Sequence, residues 1–452
     1  MAKPSIASAQ PTFVHSDHTL ARVVRPFIRF SHVEASGGIV LVVATIVALI
    51  WANSPWKAGY EALWSTSIRF EFGSYRFEED LGHLVNDLLM TVFFFVVGME
   101  IKRELIVGEL RDRRAVALPA MAALGGMIVP AAIYLAFNAG GAGGTGWGIP
   151  MATDIAFALG VVALLGNRVP TSVKVLLLTL AIVDDIGAIV VIAVFYTERV
   201  EFEFVVAAIA VVALVAIMHR VRVVYPPLIA IGGCVLWLAI YESGIHATIA
   251  GVIMGLLTPA RPVQNELEAE ELVDVLERDD DIKPDEVRAA AFLIRGSVSA
   301  CDRMIDGLHP WTSYLIVPVF ALANAGIALS SDTITSPSAV LAGVAVALVI
   351  GKFIGVAAFS WIAVRLGWGR LPDDVTWGHV LGVGAVAGIG FTVSLFITGL
   401  AFDDNSLQQD AKIGILLASV IAAGGGAATL ALAHRGGRTQ DTEALTPEPA
   451  AL

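Results

Sequence analysis

The sequence consists largely of apolar runs that are long enough to cross a lipid bilayer. A helical span needs about 20 predominantly apolar residues, and fewer where neighbouring helices shield it from lipid. Twelve runs meet this requirement, at about 35–52, 82–101, 115–137, 148–165, 172–196, 204–218, 224–241, 244–257, 311–329, 338–364, 379–402 and 412–434. They leave no room for a long soluble domain. The pattern predicts an all-α polytopic membrane protein with about 12 transmembrane helices.

The composition excludes several classes of protein. Of the 452 residues, 56% are hydrophobic and 15% are charged, whereas soluble proteins carry about 25% charged residues. The net charge of −12 makes nucleic acid an unsuitable partner. Two cysteines, Cys234 and Cys301, are too few for a disulfide framework. We expect no cofactor, and membrane lipids as the surroundings.

Lysine and arginine predict the orientation, because cytoplasmic loops of membrane proteins are enriched in them. With 12 spans and a cytoplasmic N-terminus, 23 of the 29 basic residues lie on the cytoplasmic side. Both termini are therefore predicted to be cytoplasmic, in a multi-pass protein of the bacterial inner (plasma) membrane.

Three segments lie outside the membrane domain, which is predicted to span residues 25–435. Residues 1–24 and 436–452 are predicted to be disordered cytoplasmic ends. Residues 265–287 contain eleven acidic residues against Arg278 and Lys283. We interpret this segment as a solvated cytoplasmic loop, with regulatory cation binding as the alternative.

The segment RFEFGSYRFE (about 69–78) predicts an external β-hairpin. Its side chains alternate with period two around Gly73-Ser74, a pair that suits a two-residue hairpin turn. A lone two-stranded hairpin is marginal in water, so it is predicted either to pair with a second copy, forming a homodimer, or to pack on its own chain. The predicted register places Glu71 opposite Arg76, Arg69 opposite Glu78, and Phe70 opposite Phe77.

Four ionisable side chains lie at the hydrophobic depth of the predicted spans. Adjacent Asp184 and Asp185 occupy the middle of LAIVDDIGAIVVIAV. Asp154 follows Thr153 in GWGIPMATDIAFALG, and Lys352 lies in LVIGKFIGVAAF. An ionised residue at a helix centre costs about 2.5–3.5 kcal/mol on insertion scales, so these residues are candidates for function. The alternative is a salt-bridge cluster that only locks helices together, although one lysine cannot neutralise three carboxylates.

The geometry of a helix limits what the adjacent aspartates can do. Neighbouring residues point about 100° apart, so Asp184 and Asp185 cannot chelate one ion from a single helix face. One can face a water-filled cavity while the other meets a different helix. Their hard oxygen atoms suit sodium, lithium or protons rather than soft metals.

Two spans are predicted to be broken, crossing helices. Spans 3–5 and 10–12 are seven positions apart and therefore run in opposite directions, which predicts an inverted repeat. Interrupted spans at corresponding positions mark the binding site of secondary transporters. Asp154 could offset the positive half-helix ends and Lys352 the negative ones. The glycine and proline residues that interrupt spans 4 and 11 are Gly146, Gly148 and Pro150, and Gly382, Gly384, Gly388 and Gly390.

These motifs resemble the NhaA-type sodium–proton antiporters from about residue 25 to 435. The matching stretches, in order, are NDLLMTVFFFVVGMEIKREL, GGMIVPAAIYLAFN, IPMATDIAFALGVVALLGNRVP, LAIVDDIGAI, SGIHATIAGV, HPWTSYLIVPVFALANAG, LVIGKFIG and GIGFTVSLFI. The resemblance implies a secondary antiporter, not an enzyme. It would exchange Na+ or Li+ for H+ electrogenically, by alternating access, for sodium and pH homeostasis.

The resemblance also implies roles for individual residues. Asp184 and Asp185 would bind the cation and the protons, with Asp185 as the main sodium ligand and Asp184 paired with Lys352. Thr153 and Asp154 would lie where the broken helices cross and would take part in cation and proton binding, and Asp154 would also compensate charge together with Lys352.

A further set of residues matches family positions that are linked to pH response, namely Glu100, His246 and Asp306. A plain alternative exists for two of them. His246 could be a hydrogen-bonded core residue, and Glu100 could pair with Lys102 or Arg103. The chain departs from the family pattern at Phe353, where a proline is usual, and at Gly307, where a histidine is usual.

Two other functions remain to be weighed. An intramembrane aspartyl protease also uses two buried aspartates, but this chain contains no Tyr-Asp or Gly-Asp dipeptide. A sodium-coupled organic-anion symporter of similar fold is the stronger alternative. It would need an anion-sized cavity with further hydrogen-bond donors.

Overall fold

The computed structural model describes residues 36–72, 75–111, 113–197, 200–221, 226–262, 296–328 and 337–444. The predictions for residues 1–24 and 265–287 lie outside this part of the chain, as does the turn pair at 73–74.

The described chain is mostly helical, as its apolar runs predict. Two strands, β1 (Ser67–Phe72) and β2 (Tyr75–Asp80), form one hairpin. The longer helices, numbered in chain order, are α1 (Ser36–Ala52), α2 (Lys57–Trp64), α3 (Leu81–Ile106), α4 (Arg113–Asn138), α5 (Ala142–Met151, a 3-10 helix), α6 (Ile155–Leu165), α7 (Thr171–Phe195), α8 (Phe202–Arg220), α9 (Pro226–Glu242), α10 (Thr248–Leu257), α11 (Ala300–Trp311), α12 (Val317–Asn324), α13 (Ala339–Arg365), α14 (Trp377–Val386), α15 (Phe391–Ala401) and α16 (Asn405–Ala444).

Length and apolarity identify the membrane spans among the described residues. Six helices, α3, α4, α7, α8, α13 and α16, are long and apolar enough to cross a bilayer alone. The total is nine if each of three bent helix pairs counts as one span, and α9 and α10 are shorter apolar helices. An all-α, multi-pass membrane protein follows. The count of 12 stays a prediction.

Two of the bent pairs fall where glycine and proline predict broken spans. The axes of α5 and α6 meet at 43°, and those of α14 and α15 meet at 46°. Pro150 lies within α5, and Gly388 and Gly390 lie between α14 and α15. Proline removes a backbone donor and glycine weakens a helix, so both breaks have a local cause.

Helices α4 and α13 pack closely where two glycines face each other. A Cβ atom on Gly355 would lie 2.1 Å from the carbonyl oxygen of Gly125, which no side chain could tolerate. Small residues allow such close approach of membrane helices. Lys352 lies one turn before Gly355, and its side chain passes Gly126 of α4. A π turn, Ala347–Gly351, ends directly before Lys352, and the helix continues through Phe353.

The hairpin has the register that the sequence predicts. Arg69 lies opposite Glu78 and Glu71 opposite Arg76. Arg69 donates to Glu78 through Nη2 at 2.6 Å and through Nε at 3.1 Å, and both side chains are exposed. At the base of the hairpin, Tyr241 of α9 donates a hydrogen bond to Glu79 of β2. The hairpin therefore contacts its own chain.

The last helix, α16, extends past its apolar residues to Ala444. Disorder of residues 436–452 stays a prediction. Residues 445–452 lie outside the described chain.

Candidate functional site

The two broken helices meet at their unwound segments. The backbone N–H of Asp154 donates to the carbonyl of Ile389 at 2.7 Å. The hydroxyl oxygen of Thr153 lies 3.0 Å from the carbonyl oxygen of Ala387. Irregular backbone is tolerated at membrane depth only where protein or water satisfies its polar groups. Each unwound segment therefore supplies polar partners for the other.

Asp154 caps two half-helices at once. The residue is 2% exposed. Its Oδ1 accepts from the N–H of Phe157 at 2.9 Å, in the first turn of α6. Its Oδ2 accepts from the N–H of Thr392 at 3.0 Å and from the Thr392 hydroxyl at 2.6 Å, in the first turn of α15. A carboxylate between two helix N-termini offsets the positive end of both.

Thr392 was not selected from the sequence as a site residue. The available signal is that it is the first polar side chain after Gly390, at the start of a half-helix. The sequence gives no indication that this hydroxyl reaches a carboxylate more than 200 positions away, and only the crossing of the helices brings them together.

Lys352 is fully buried and each of its three ammonium protons has an acceptor. Its Nζ lies 2.5 Å from Asp184 Oδ2, 2.5 Å from the carbonyl oxygen of Met151 and 3.0 Å from Thr153 Oγ1. An ammonium group has three donors, so the set is complete. Met151 ends α5, and its carbonyl belongs to the negative end of that half-helix. Sequence reasoning missed Met151 because its backbone, rather than its side chain, makes the contact.

Asp184 uses one carboxylate oxygen and leaves the other without a partner. Its Oδ2 accepts from Lys352 and lies 2.7 Å from the hydroxyl oxygen of Thr153. Thr153 has one hydroxyl proton, so it can donate to Asp184 or to Ala387 at any moment. Asp184 Oδ1 is buried and has no hydrogen-bond partner among the described residues. Leaving a buried acceptor unpaired is costly, and a bound cation would satisfy it.

Asp185 lies beside this cluster with a different set of neighbours. It is 4% exposed and makes no hydrogen bond or ion pair with any described residue. It interacts electrostatically with three carboxyl groups, those of Asp184, Glu100 and Asp154, and with one cation, Lys352. Carboxylates outnumber cations, so the cluster favours protons or a metal cation as further positive charge.

Glu100 lies on α3 within electrostatic reach of Asp185. It forms no ion pair with Lys102 or Arg103 in the described part of the chain, where Arg103 instead lies 3.8 Å from Glu104. The preceding carbonyl, Met99, accepts from Cys301 Sγ at 3.1 Å. Burial raises the pKa of the Cys301 thiol to about 11, so this neighbour is uncharged at neutral pH.

The other two residues matched to pH response lie apart from the charged cluster. His246 Nε2 lies 2.7 Å from the carbonyl oxygen of Tyr196, just after α7. This contact agrees with a hydrogen-bonded core histidine. Asp306 is exposed on α11, and Gly307 beside it faces open space.

Two cavities approach α7 from the end at which that helix begins. One, of about 830 Å³, is lined by Pro119, Trp368 and Arg370, and the other, of about 540 Å³, by Glu104 and Arg111. Thr179 of α7 lines both cavities, less than two turns before Asp184. The cavities bring solvent-accessible space towards the charged cluster.

These features define a class of protein. A multi-pass helical protein with a buried charge cluster at the crossing of two broken helices has the architecture of an ion-coupled secondary transporter.

Comparisons with known proteins identify the family. Residues 28–430 match the family described as Na+/H+ antiporter 1. A protein of Rhodopirellula baltica named Na(+)/H(+) antiporter NhaA is 47% identical over 413 residues, covering 89% of this chain and 92% of the relative. Na(+)/H(+) antiporter NhaA 3 of Frankia alni is 46% identical, covering 94% and 92%. The chain belongs to the NhaA family of sodium–proton antiporters.

Proposed function

We propose that the protein exchanges cytoplasmic Na+ or Li+ for external protons across the bacterial plasma membrane, electrogenically, for sodium and pH homeostasis. One observation carries the proposal. Three carboxylates and one lysine are buried together at the crossing of two broken helices, and one carboxylate oxygen, Asp184 Oδ1, is unpaired among the described residues.

The cation ligands are the oxygen atoms of Asp184, Asp185 and Thr153. Sodium prefers such hard donors. Asp185, as the main ligand, has no competing hydrogen bond with a described residue, and Asp184 Oδ1 is the second free acceptor. Two carboxylates that bind one monovalent cation can exchange it for two protons, and this exchange moves net charge.

Lys352 and Asp154 compensate charge. Lys352 donates to Asp184 Oδ2 and to the carbonyl of Met151 at the C-terminal end of α5. Asp154 accepts from backbone N–H groups at the N-terminal ends of α6 and α15. A cation that enters near Asp184 therefore competes with Lys352 for the same carboxylate. This competition links sodium binding to rearrangement of the crossing.

Transport proceeds by alternating access around this fixed site, in a unit of 12 spans with an inverted repeat (spans 3–5 and 10–12) and with both termini cytoplasmic. The cavities at Thr179 form the cytoplasmic approach. Support comes from their position at the first turns of α7 and from the basic residues Arg111 and Arg370 that line them.

The remaining proposals concern regulation and assembly. Glu100, His246 and Asp306 modulate the pH response, and Glu100 has the strongest support because it interacts electrostatically with Asp185. The hairpin mediates a homodimer within membrane lipids. Arg69 and Glu71 of β1 and Glu78 of β2 are exposed, which suits pairing with a second copy.

The test is proton movement in everted membrane vesicles that contain the protein. Adding Na+ without any organic solute should move protons, and Li+ should do the same. A matched vesicle preparation lacking the protein provides the baseline. A response that requires an organic anion would instead identify a symporter, and sodium flux without proton movement would identify a channel.

A further inference from the structure

The N-terminus of α14 has a titratable side chain where helices usually have glutamate or glutamine. In a capping box, a threonine or serine precedes the helix, and the third helical residue reaches back to the N–H of that residue. Here Thr376 precedes α14 and the third residue is His379. His379 Nδ1 lies 3.1 Å from the backbone nitrogen of Thr376 and 3.1 Å from its hydroxyl oxygen.

This geometry fixes the protonation state of the imidazole. The backbone N–H of Thr376 can only donate, so Nδ1 must accept and cannot carry a proton. The neutral ring therefore has its proton on Nε2, which is buried without a hydrogen-bond partner among the described residues. His379 itself is 5% exposed.

A second proton on the ring is incompatible with this arrangement. An N–H on Nδ1 would point at the N–H of Thr376, and a positive charge would lie beside the positive end of α14. The titratable groups of the described chain that act electrostatically on His379 are His434 of α16 and Asp374 of the preceding loop. Asp374 could stabilise an imidazolium but cannot restore the acceptor that the cap requires.

We propose that His379 is a positioning residue that caps α14 only while its imidazole is neutral, and that acidification releases the cap. α14 has only 10 residues, so its stability depends strongly on its ends. The residue after its last turn, Ala387, provides the carbonyl that accepts from Thr153. Thr153 in turn contacts Asp184 and Lys352. The cap therefore holds the half-helix that contacts the charged cluster.

The expected pH dependence has a definite sign. The cap requires a neutral imidazole, so it is present at alkaline pH and is lost when acidification adds a proton to the ring. The capped form binds one proton fewer than the uncapped form, so acidification destabilises it. Loss of a helix cap typically changes an equilibrium roughly fivefold.

The decisive variant is His379→Gln, which keeps a capping acceptor and does not titrate. The purified full-length protein would be melted in detergent from about pH 4.5 to about pH 8.5, about two units to either side of the pKa of an unperturbed imidazole. We expect equal melting temperatures at the alkaline end and a more stable variant at the acidic end. In vesicles, sodium-driven proton exchange by the variant should exceed that of the parent by up to roughly fivefold at acidic pH.

Two control variants test whether the pH dependence belongs to the cap. His434→Gln removes the neighbouring histidine and keeps the cap, so it should retain the pH dependence of the parent. If the glutamine variant does not fold, His379→Glu replaces it in the experiment, because glutamate is the other usual capping residue at this position. The proposal is wrong if the melting temperatures of the parent and of His379→Gln change with pH in the same way. It is also wrong if His434→Gln by itself removes the pH dependence.

Only the vesicle measurement rests on the proposed function. If the parent shows no exchange, that function fails while the melting comparison still decides the role of His379.

Discussion

Two ion pairs in this protein have nearly the same nitrogen–oxygen distance and different surroundings. In the hairpin, Arg69 and Glu78 are 2.6 Å apart, and their side chains are 59% and 50% exposed. At the helix crossing, Lys352 and Asp184 are 2.5 Å apart, and both are fully buried. Water and salt screen the first pair, so it contributes little to stability. The second pair is fully buried in protein, so solvent does not screen it.

The comparison shows that burial, rather than distance, decides what an ion pair does. Removing one partner at the surface leaves a charge that water solvates. Removing one partner at the crossing leaves an uncompensated charge in a low dielectric, which commonly costs about 3–5 kcal/mol. Both members of the buried pair also contact broken-helix backbone or side chains, so a change there reaches the crossing.

The largest effect is expected from neutralising the buried carboxylates. Asp184→Asn or Asp185→Asn should abolish sodium-driven proton exchange while membrane insertion continues, because a neutral amide cannot release a proton. Exchange would be measured in everted vesicles at matched protein levels. Asp403→Asn, in the exposed loop between α15 and α16, is the matched control and should behave as the parent. Near-normal exchange in either site variant would contradict the assignment.

Removing the buried cation should affect both stability and charge movement. Lys352→Ala leaves Asp184 without its ion-pair partner, and we expect a loss of about 3–5 kcal/mol of stability. The measurements are thermal unfolding in detergent and the charge moved per transport cycle in proteoliposomes. Arg69→Ala is the surface counterpart and should leave both unchanged. If the two alanine variants behave alike, the contrast between the two ion pairs is wrong.

Competition between sodium and protons should change the apparent sodium affinity. The same Asp184 and Asp185 oxygens cannot hold sodium and a proton together. As pH falls, the sodium concentration for half-maximal exchange should rise, by up to about tenfold per pH unit for each competing proton. The rate at saturating sodium should change much less. A sodium titration at several pH values provides the measurement, and a constant half-saturation point with a varying maximal rate would disprove competition.

The smallest effect on transport is expected from the hairpin. Deleting residues 69–78 should weaken self-association and leave exchange by the membrane core largely intact, because the charged cluster lies elsewhere. Sizing under dilute conditions measures the first effect and vesicle exchange the second. A less severe variant, with Arg69 and Glu78 exchanged, keeps the pair and should leave both properties unchanged. A deleted protein that remains dimeric would exclude the hairpin as the interface.

Much of the candidate site could be predicted because lipid makes polar residues conspicuous. Asp184, Asp185, Asp154 and Lys352 interrupt apolar runs, and glycine and proline mark both helix breaks. The structure brings Asp184, Thr153 and Lys352 together and places Asp154 between two half-helix ends. The backbone partners could not be predicted in the same way. A carbonyl group such as that of Met151 has no sequence signature of its own.

The sequence by itself determined the features that depend on local chemistry. Long apolar runs require a membrane, alternation around Gly73-Ser74 sets the hairpin register, and clustered glycine and proline residues mark the two helix breaks at α5–α6 and α14–α15. Which distant groups meet depends on how the helices pack. The crossing of two broken helices brings Thr392 to Asp154, whereas Asp306 is exposed on α11. The turn of about 100° between neighbouring helical residues already makes Asp184 and Asp185 point apart. Which of the two meets Lys352 depends on helix packing, because Lys352 lies 168 positions further along the chain and reaches Asp184.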